Sequence, residues 1–398
     1  MHAVVLASRR SGPAARTATI VLGSAALLVG PTLAASADFA VDLVVGSDTN
    51  PLQVEDDGPN GLFSEIRMGA GASGRMSPRV GWRFSGAVAV RAYESSVEDA
   101  ATEAGYGRLG LEWLLGSTTG RPGVLGFGIQ AGVDRSTFTD RATGDVYVVD
   151  PDPITTPPTS IPIPNRFDAA TAGAYVDANV RLGRRAGAFV TATMESTHFL
   201  ESYEAETSLE SLDYDVVTVE PGVRVALHST AALRCSIALI ALDYDEQPAL
   251  ASDGQPVPGT TREYRTTDLR VALSLAPFSR WSFDIGLRGG PRSDTQAGYY
   301  DLDTLGASVA MTHRPSWRTR LQLSASSRDV DYARAPVTSS PDGELRGSRV
   351  DRLAGRFDYD LRRPTTVYAE TGVERVQNND PVFAHDRSWL AVGIRYRP

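Results

Sequence analysis

The feature that most limits what this chain can fold into is a side-chain period of two that recurs from end to end. In "GVLGFGIQAGVDRSTF", Leu125, Phe127, Ile129, Ala131 and Val133 take every second position, with Gly126, Gly128, Gln130 and Gly132 between them. That spacing is a β-strand with one apolar face and one small or polar face. The same rhythm sets Ala172, Ala174, Val176, Ala178, Val180 and Leu182 against Gly173, Tyr175, Asp177, Asn179 and Arg181. It sets Leu269, Val271, Leu273 and Leu275 against Asp268, Arg270 and Ser274, and Trp281, Phe283, Ile285 and Leu287 against Ser282, Asp284, Gly286 and Arg288. No apolar stripe of helical period accompanies these segments, so the chain reads as all-β. In one strand alone the apolar face could meet either a soluble core or lipid.

The connections separate the two readings. About sixteen alternating segments can be marked along the chain, near 38–47, 61–75, 79–93, 102–116, 121–139, 166–182, 186–199, 209–227, 230–245, 261–276, 280–292, 298–313, 317–332, 346–362, 365–378 and 385–397. Tight links such as "RMSPRV", "LGRRAG", "APFSRW" and "LRRPTT" alternate with longer acidic ones such as "DTNPLQVEDDGPN" and "DYDEQPALASDGQPVPGTT". Short turns at one end and long loops at the other are the two ends of a transmembrane antiparallel up-and-down β-barrel. The expected count is about 16 strands, and the same pattern fits a range of about 14 to 18. Trp82, Trp113, Trp281 and Trp317 all stand beside short links on the apolar phase, as a membrane-interface girdle requires. A soluble sandwich, the rival fold, would bury tryptophan mid-strand. Three places strain the pattern: Ile240 and Leu242 fall out of phase, Leu114 follows Trp113 without alternation, and Pro221 predicts a bulge or a local opening of the ladder.

The first 37 residues read as a secretory signal peptide. Arg9, Arg10 and Arg16 precede an apolar run from Ile20 to Val29, and Ala35-Ser36-Ala37 is a small-x-small cleavage site before Asp38. Residues 38–398 then form a single barrel domain, and no later stretch is apolar enough for a membrane helix. The net charge of −9, with no basic block, excludes a nucleic-acid footprint. One cysteine, Cys235, excludes an internal disulfide and a cysteine-based zinc cluster. Every basic residue apart from histidine is arginine, which fits GC-rich codon usage or a demand for planar bidentate donors.

Candidate site residues follow from strand phase. Arg270, Arg288, Arg318, Arg320, Arg352 and Arg356 share the polar phase with Asp268, Asp284 and Asp358. They are candidates for the lining of a pore. Cross-strand ion pairing and a guanidinium ladder for anionic solutes are both consistent with that placement. His198, His228, His313 and His385 are scattered, and no hydrolase, nucleotide-binding or CxxC motif appears, so no catalytic residue, cofactor or metal is expected. The acidic stretches "DDGPN" and "DYDE" read as solvated loops. Val146 to Asn165 forms a proline-rich outer loop that could fold into the lumen or extend over the surface.

The opening "DLVVGSDTN", the stave-and-turn rhythm and the final "WLAVGIRYRP" resemble the outer-membrane family called β-barrel porin 2. The resemblance implies an outer-membrane barrel, in some members linked to exopolysaccharide production. Such barrels usually end in an aromatic residue; here the last outward aromatic is Tyr396 and the last residue Pro398. Two functions fit: a porin-like channel for small hydrophilic or anionic solutes, and a closed structural or surface-interaction barrel with acidic outer loops. Expected partners are outer-membrane lipid and lipopolysaccharide, the barrel-assembly machinery, and anionic polysaccharide or small solutes. N-terminal sequencing of the protein recovered from outer membranes should read from Asp38.

Overall fold

The computed structural model describes residues 36–51, 60–94, 101–116, 123–135, 168–200, 212–251, 254–337, 343–381 and 384–398. The proline-rich segment 146–165 and nearly all of the leader lie outside these residues. Sixteen antiparallel strands follow one another around a closed ring, β1 to β16, each paired with its sequence neighbours. They are β1 (Ser36–Asp48), β2 (Gly61–Arg75), β3 (Val80–Tyr93), β4 (Thr102–Leu115), β5 (Gly123–Arg135), β6 (Ala169–Arg181), β7 (Ala186–Phe199) and β8 (Tyr214–His228). There follow β9 (Ala231–Tyr244), β10 (Glu263–Phe278), β11 (Trp281–Asp294), β12 (Leu302–His313), β13 (Thr319–Pro336), β14 (Leu345–Arg362), β15 (Thr365–Asn378) and β16 (His385–Tyr396). A soluble sandwich is excluded by the closure. β1 begins at Ser36, two residues before the expected mature start.

Closure is made by β1 against β16, from Val41↔Tyr396 to Asp48↔Trp389. This ladder has eight paired positions, the shortest in the ring. Two arginine–aspartate pairs reinforce it from inside. Arg395 donates to both oxygens of Asp42 at 2.7 Å, and Arg387 reaches Asp48 at 2.6 Å.

Alternation sorts the side chains as the sequence requires. Leu43, Ile129, Leu269 and Leu390 face outward and are more than half exposed, while Asp42, Val44, Glu65 and Asp268 face inward and are buried. Strands of 12 to 18 residues exceed the ~10 needed to cross hydrocarbon, so their ends stand in the interfaces. Trp113 and Trp317 are exposed at the short-turn end, 50% and 80%, and Trp281 stacks on His313 with ring centroids 3.8 Å apart. Trp82 departs from the expected girdle: it shares the outward phase but is only 8% exposed, with a buried Nε1.

Two irregularities of the sequence have a structural account, and at Pro221 it is the local opening that forms. Pro221 makes no bulge, because Val219↔Leu239 and Gly222↔Ser236 keep one register on either side of it. Pro221 faces outward opposite Val190 of β7, and only pairing with β9 lapses beside it. Ile240 and Leu242 point inward because the outer third of this side has an apolar core within the barrel. There Tyr244, Tyr264, Tyr300 and Tyr332 are buried and Leu242 packs against them. Consecutive edge-on rings, such as Tyr244–Tyr264 at 5.9 Å and Tyr264–Tyr300 at 5.8 Å, fasten the outer connections to the wall.

Glycines on the inward phase have a packing reason. Gly372 lies directly opposite Trp389, whose indole lies across the position a Cβ would take. Tyr368 covers Gly393 and Tyr175 covers Gly128 in the same way. Gly372→Val should therefore displace Trp389 and cost about 1–3 kcal/mol, as overpacking does. Gly69→Ala, where only a backbone oxygen at 3.9 Å is near, should be neutral. The temperature at which the folded band is lost on semi-native electrophoresis reads both.

Candidate functional site

The polar phase of sixteen strands meets in one lumen, and its charges are unevenly distributed. Around the seam they form a chain of shared carboxylates. Glu65 accepts from Arg67 at 2.7 Å and from Arg91 at 2.9 Å. Arg67 also reaches Glu370 at 3.0 Å, across β1 and β16. Glu370 accepts in turn from Arg356 at 3.0 Å, and Arg356 donates to Asp358 at 2.9 Å. Glu65 and Glu370 thus each serve two guanidiniums, which limits the desolvation cost of enclosing those charges, while Asp358 takes Arg356 alone and keeps a buried Oδ2 without a partner. Arg356 also stacks on Tyr368 at 3.7 Å.

The far wall has smaller units. Arg108 pairs with Asp177 at 2.8 Å and lies over Tyr175 at 3.4 Å. Glu220 takes Arg234 at 3.2 Å and Arg270 at 2.7 Å, and Arg270 also holds Asp268 at 2.8 Å. Between these groups many inward positions of β2 to β7 are small: Gly69, Ala87, Ala89, Ala104, Gly132 and Thr171, with the half-exposed Tyr106 among them, line a space of about 900 Å³. Small side chains leave volume where a tightly packed interior would have none.

The candidates from the sequence are not equivalent. Arg270 and Arg356 are committed to carboxylates, and Asp268 and Asp358 are their buried partners. Arg352 has Glu374 at 3.8 Å and the ring of Trp389 at 5.2 Å. Asp284 accepts from Ser274 at 2.6 Å. Arg318 and Arg320 stand exposed at the short-turn end, Arg318 over Trp317 at 4.4 Å, so they belong to the inner mouth. Arg288 is exposed inward and lies opposite Arg270 in the register. The histidines do not meet: His198 faces Asp213 at 3.0 Å on the outward side, and His385 lies 3.8 Å from Glu374 inside.

The sequence reading missed Glu65, Arg67, Arg91, Glu220, Glu370 and Arg328. Their inward parity was available: Glu65 and Arg67 alternate with Ile66 and Met68 in β2, and Arg91 follows Val90 in β3. What parity cannot supply is the meeting of β2 with β15 across the closing seam. Serines at 324, 326 and 327 hid the alternation around Arg328.

One cavity of about 1170 Å³ is lined from β4 by Thr102 and Ala104 and from β12 by Ala310 and Thr312. These strands stand eight places apart in the ring of sixteen, on opposite sides of the barrel. Among the described residues no ion pair joins such opposite walls; the longest reach is Arg67 to Glu370.

No family model matches the chain, and no curated protein matches it in sequence. Solved structures of similar fold include the in-vitro folded trimer form of OmpT, an outer membrane protein of Vibrio cholerae. It is 13% identical over 91% of this chain and 99% of that one, with a TM-score of 0.46. OprD of Pseudomonas aeruginosa is 9% identical over 92% and 96%, with a TM-score of 0.45. A bacterial polysaccharide outer membrane secretin is 9% identical over 90% and 98%, with a TM-score of 0.43. These likenesses are distant, and the functional argument rests on the wall's own residues.

Glu370 joins the two halves of the seam network. Glu370→Gln should leave Arg67 and Arg356 sharing a neutral acceptor and destabilise the barrel by about 3 kcal/mol. Urea unfolding in detergent, followed by tryptophan fluorescence, measures it.

Proposed function

We propose that this protein is an outer-membrane channel through which small hydrophilic solutes cross, with a preference for anions. The observation that carries the reading is the cavity shared by β4 and β12: opposite walls face one space, lined there by Thr102, Ala104, Ala310 and Thr312. Charges held to neighbouring or nearby strands leave the centre of a barrel of this size free for water. The outward apolar band and the leader at 1–37 support export to the outer membrane, where lipopolysaccharide and the barrel-assembly machinery would be its partners. The resemblance to β-barrel porin 2 extends the solute class to an anionic polysaccharide. The closed structural barrel is the lesser reading, since the ion pairs hug the wall. No catalytic step belongs to this function.

Single-channel recording of the refolded barrel in a planar bilayer under a salt gradient tests the reading. Stable steps with a reversal potential of anionic sign are expected. A barrel that inserts and never conducts would refute it.

A further inference from the structure

Most guanidiniums on the inner wall are matched. Arg67, Arg91, Arg270, Arg356, Arg387 and Arg395 each reach a carboxylate at 2.6–2.9 Å. Among the described residues, Arg224 of β8, opposite Arg234, and Arg320 at the inner mouth have no carboxylate at that distance, and in the middle of the wall between β10 and β14 two more break that rule. Arg288 lies directly opposite Arg270 and has no carboxylate within ion-pair distance among the described residues. Like charges in that relation destabilise a sheet. Arg328 on β13 lies opposite Gly306 of β12, which in turn lies opposite Arg288 of β11. Its Nε is buried and has no hydrogen-bond partner.

The nearby acids are already engaged. Glu220 accepts from Arg234, Arg270 and Ser236, and Asp268 is held by Arg270 through Oδ2, its buried Oδ1 having no hydrogen-bond partner. Glu374 stands between Arg352 and His385. Gly306 keeps the place between the two arginines free of a side chain, and the stem of Arg288 lies 3.4 Å from where its Cβ would be. Ser308 and Ser326, a directly opposed pair on the same face, complete the lining of a cavity of about 800 Å³ that holds both guanidiniums.

Resting on the channel reading, we propose that Arg288 and Arg328, with the hydroxyls of Ser308 and Ser326, form a notch that binds the oxyanion of a passing solute, a carboxylate or a phosphate. An excess of positive charge beside unoccupied donors is costly in an isolated wall and favourable once an anion enters. Bound solute would sit against one side of the lumen, close to open water, so that it can leave as well as enter.

Calorimetric titration of the refolded barrel, residues 38–398, in detergent tests this without relying on conductance. Succinate and inorganic phosphate serve as separate probes, and the tighter one identifies the solute's anionic group. Arg288→Gln and Arg328→Gln should each weaken binding about tenfold, the weight of one charge-assisted hydrogen bond. Arg108→Gln, on the far wall, should leave binding intact. Arg288→Gln should also raise the temperature at which the folded band is lost, because it removes the repulsion with Arg270, so loss of binding there is not loss of fold. Absence of binding to the wild-type barrel, or binding that persists in the double variant, overturns the notch. Anion binding by a barrel that never conducts overturns the channel reading and keeps the notch; conduction without binding does the reverse.

Discussion

Everything in this structure depends on the ladder between β1 and β16. A barrel wall in hydrocarbon has no water to satisfy its backbone N–H and C=O groups, and each one left unpaired costs several kcal/mol. Closing the ring removes both free edges at once. Yet the two strands that close it are the first and last of the chain, so their pairing carries the greatest loop entropy of any in the fold. The ladder is also the shortest. The ionic network is densest at this point: Asp42 with Arg395 and Asp48 with Arg387 clasp the seam directly, and Arg67 with Glu370 spans it from β2 to β15.

The inner wall is built from three materials with distinct roles. Aromatic rings laid over glycines, as Trp389 over Gly372 and Tyr175 over Gly128, let large side chains lie flat against the wall instead of filling the lumen. Shared carboxylates such as Glu65, Glu220 and Glu370 hold arginines of neighbouring and nearby strands along the wall. The tyrosine cluster of β9, β10 and β13 ties outer connections to one rim. Together they give, among the described residues, a polar interior whose charged groups are ordered along the wall. On the wall of β11 to β13 positive charge is left unmatched at Arg288 and Arg328, as it is at Arg224 of β8.

Much of the fold was legible because the physics of a barrel strand is local. Alternation alone placed Arg270, Arg288, Arg352 and Arg356 on the inner face and Leu269, Leu287 and Leu353 on the outer one, and the rhythm of short and long links counted the strands. The misreadings arose where tertiary packing overrules the local pattern. Ile240 and Leu242 turn inward because tyrosines from three strands and a loop make an apolar core inside the barrel. Trp82 keeps its phase but not its exposure.

The sequence by itself determined the class of fold, a strand number of about 16 within a range of about 14 to 18, and the face on which most strand residues lie. The faces follow from a period of two along each strand, and the class and count from the alternation of short and long links between strands. Tertiary structure decided which charges meet. Whether an inward arginine is neutralised depends on neighbours two or three strands away, brought into reach by register and ring closure. Thus Arg356 and Arg288, equivalent in parity and composition, end as a committed ion-pair member and an unmatched cation. The difference lies in Glu370 and Asp358 beside one and Arg270 and Gly306 beside the other, a relation no single strand contains.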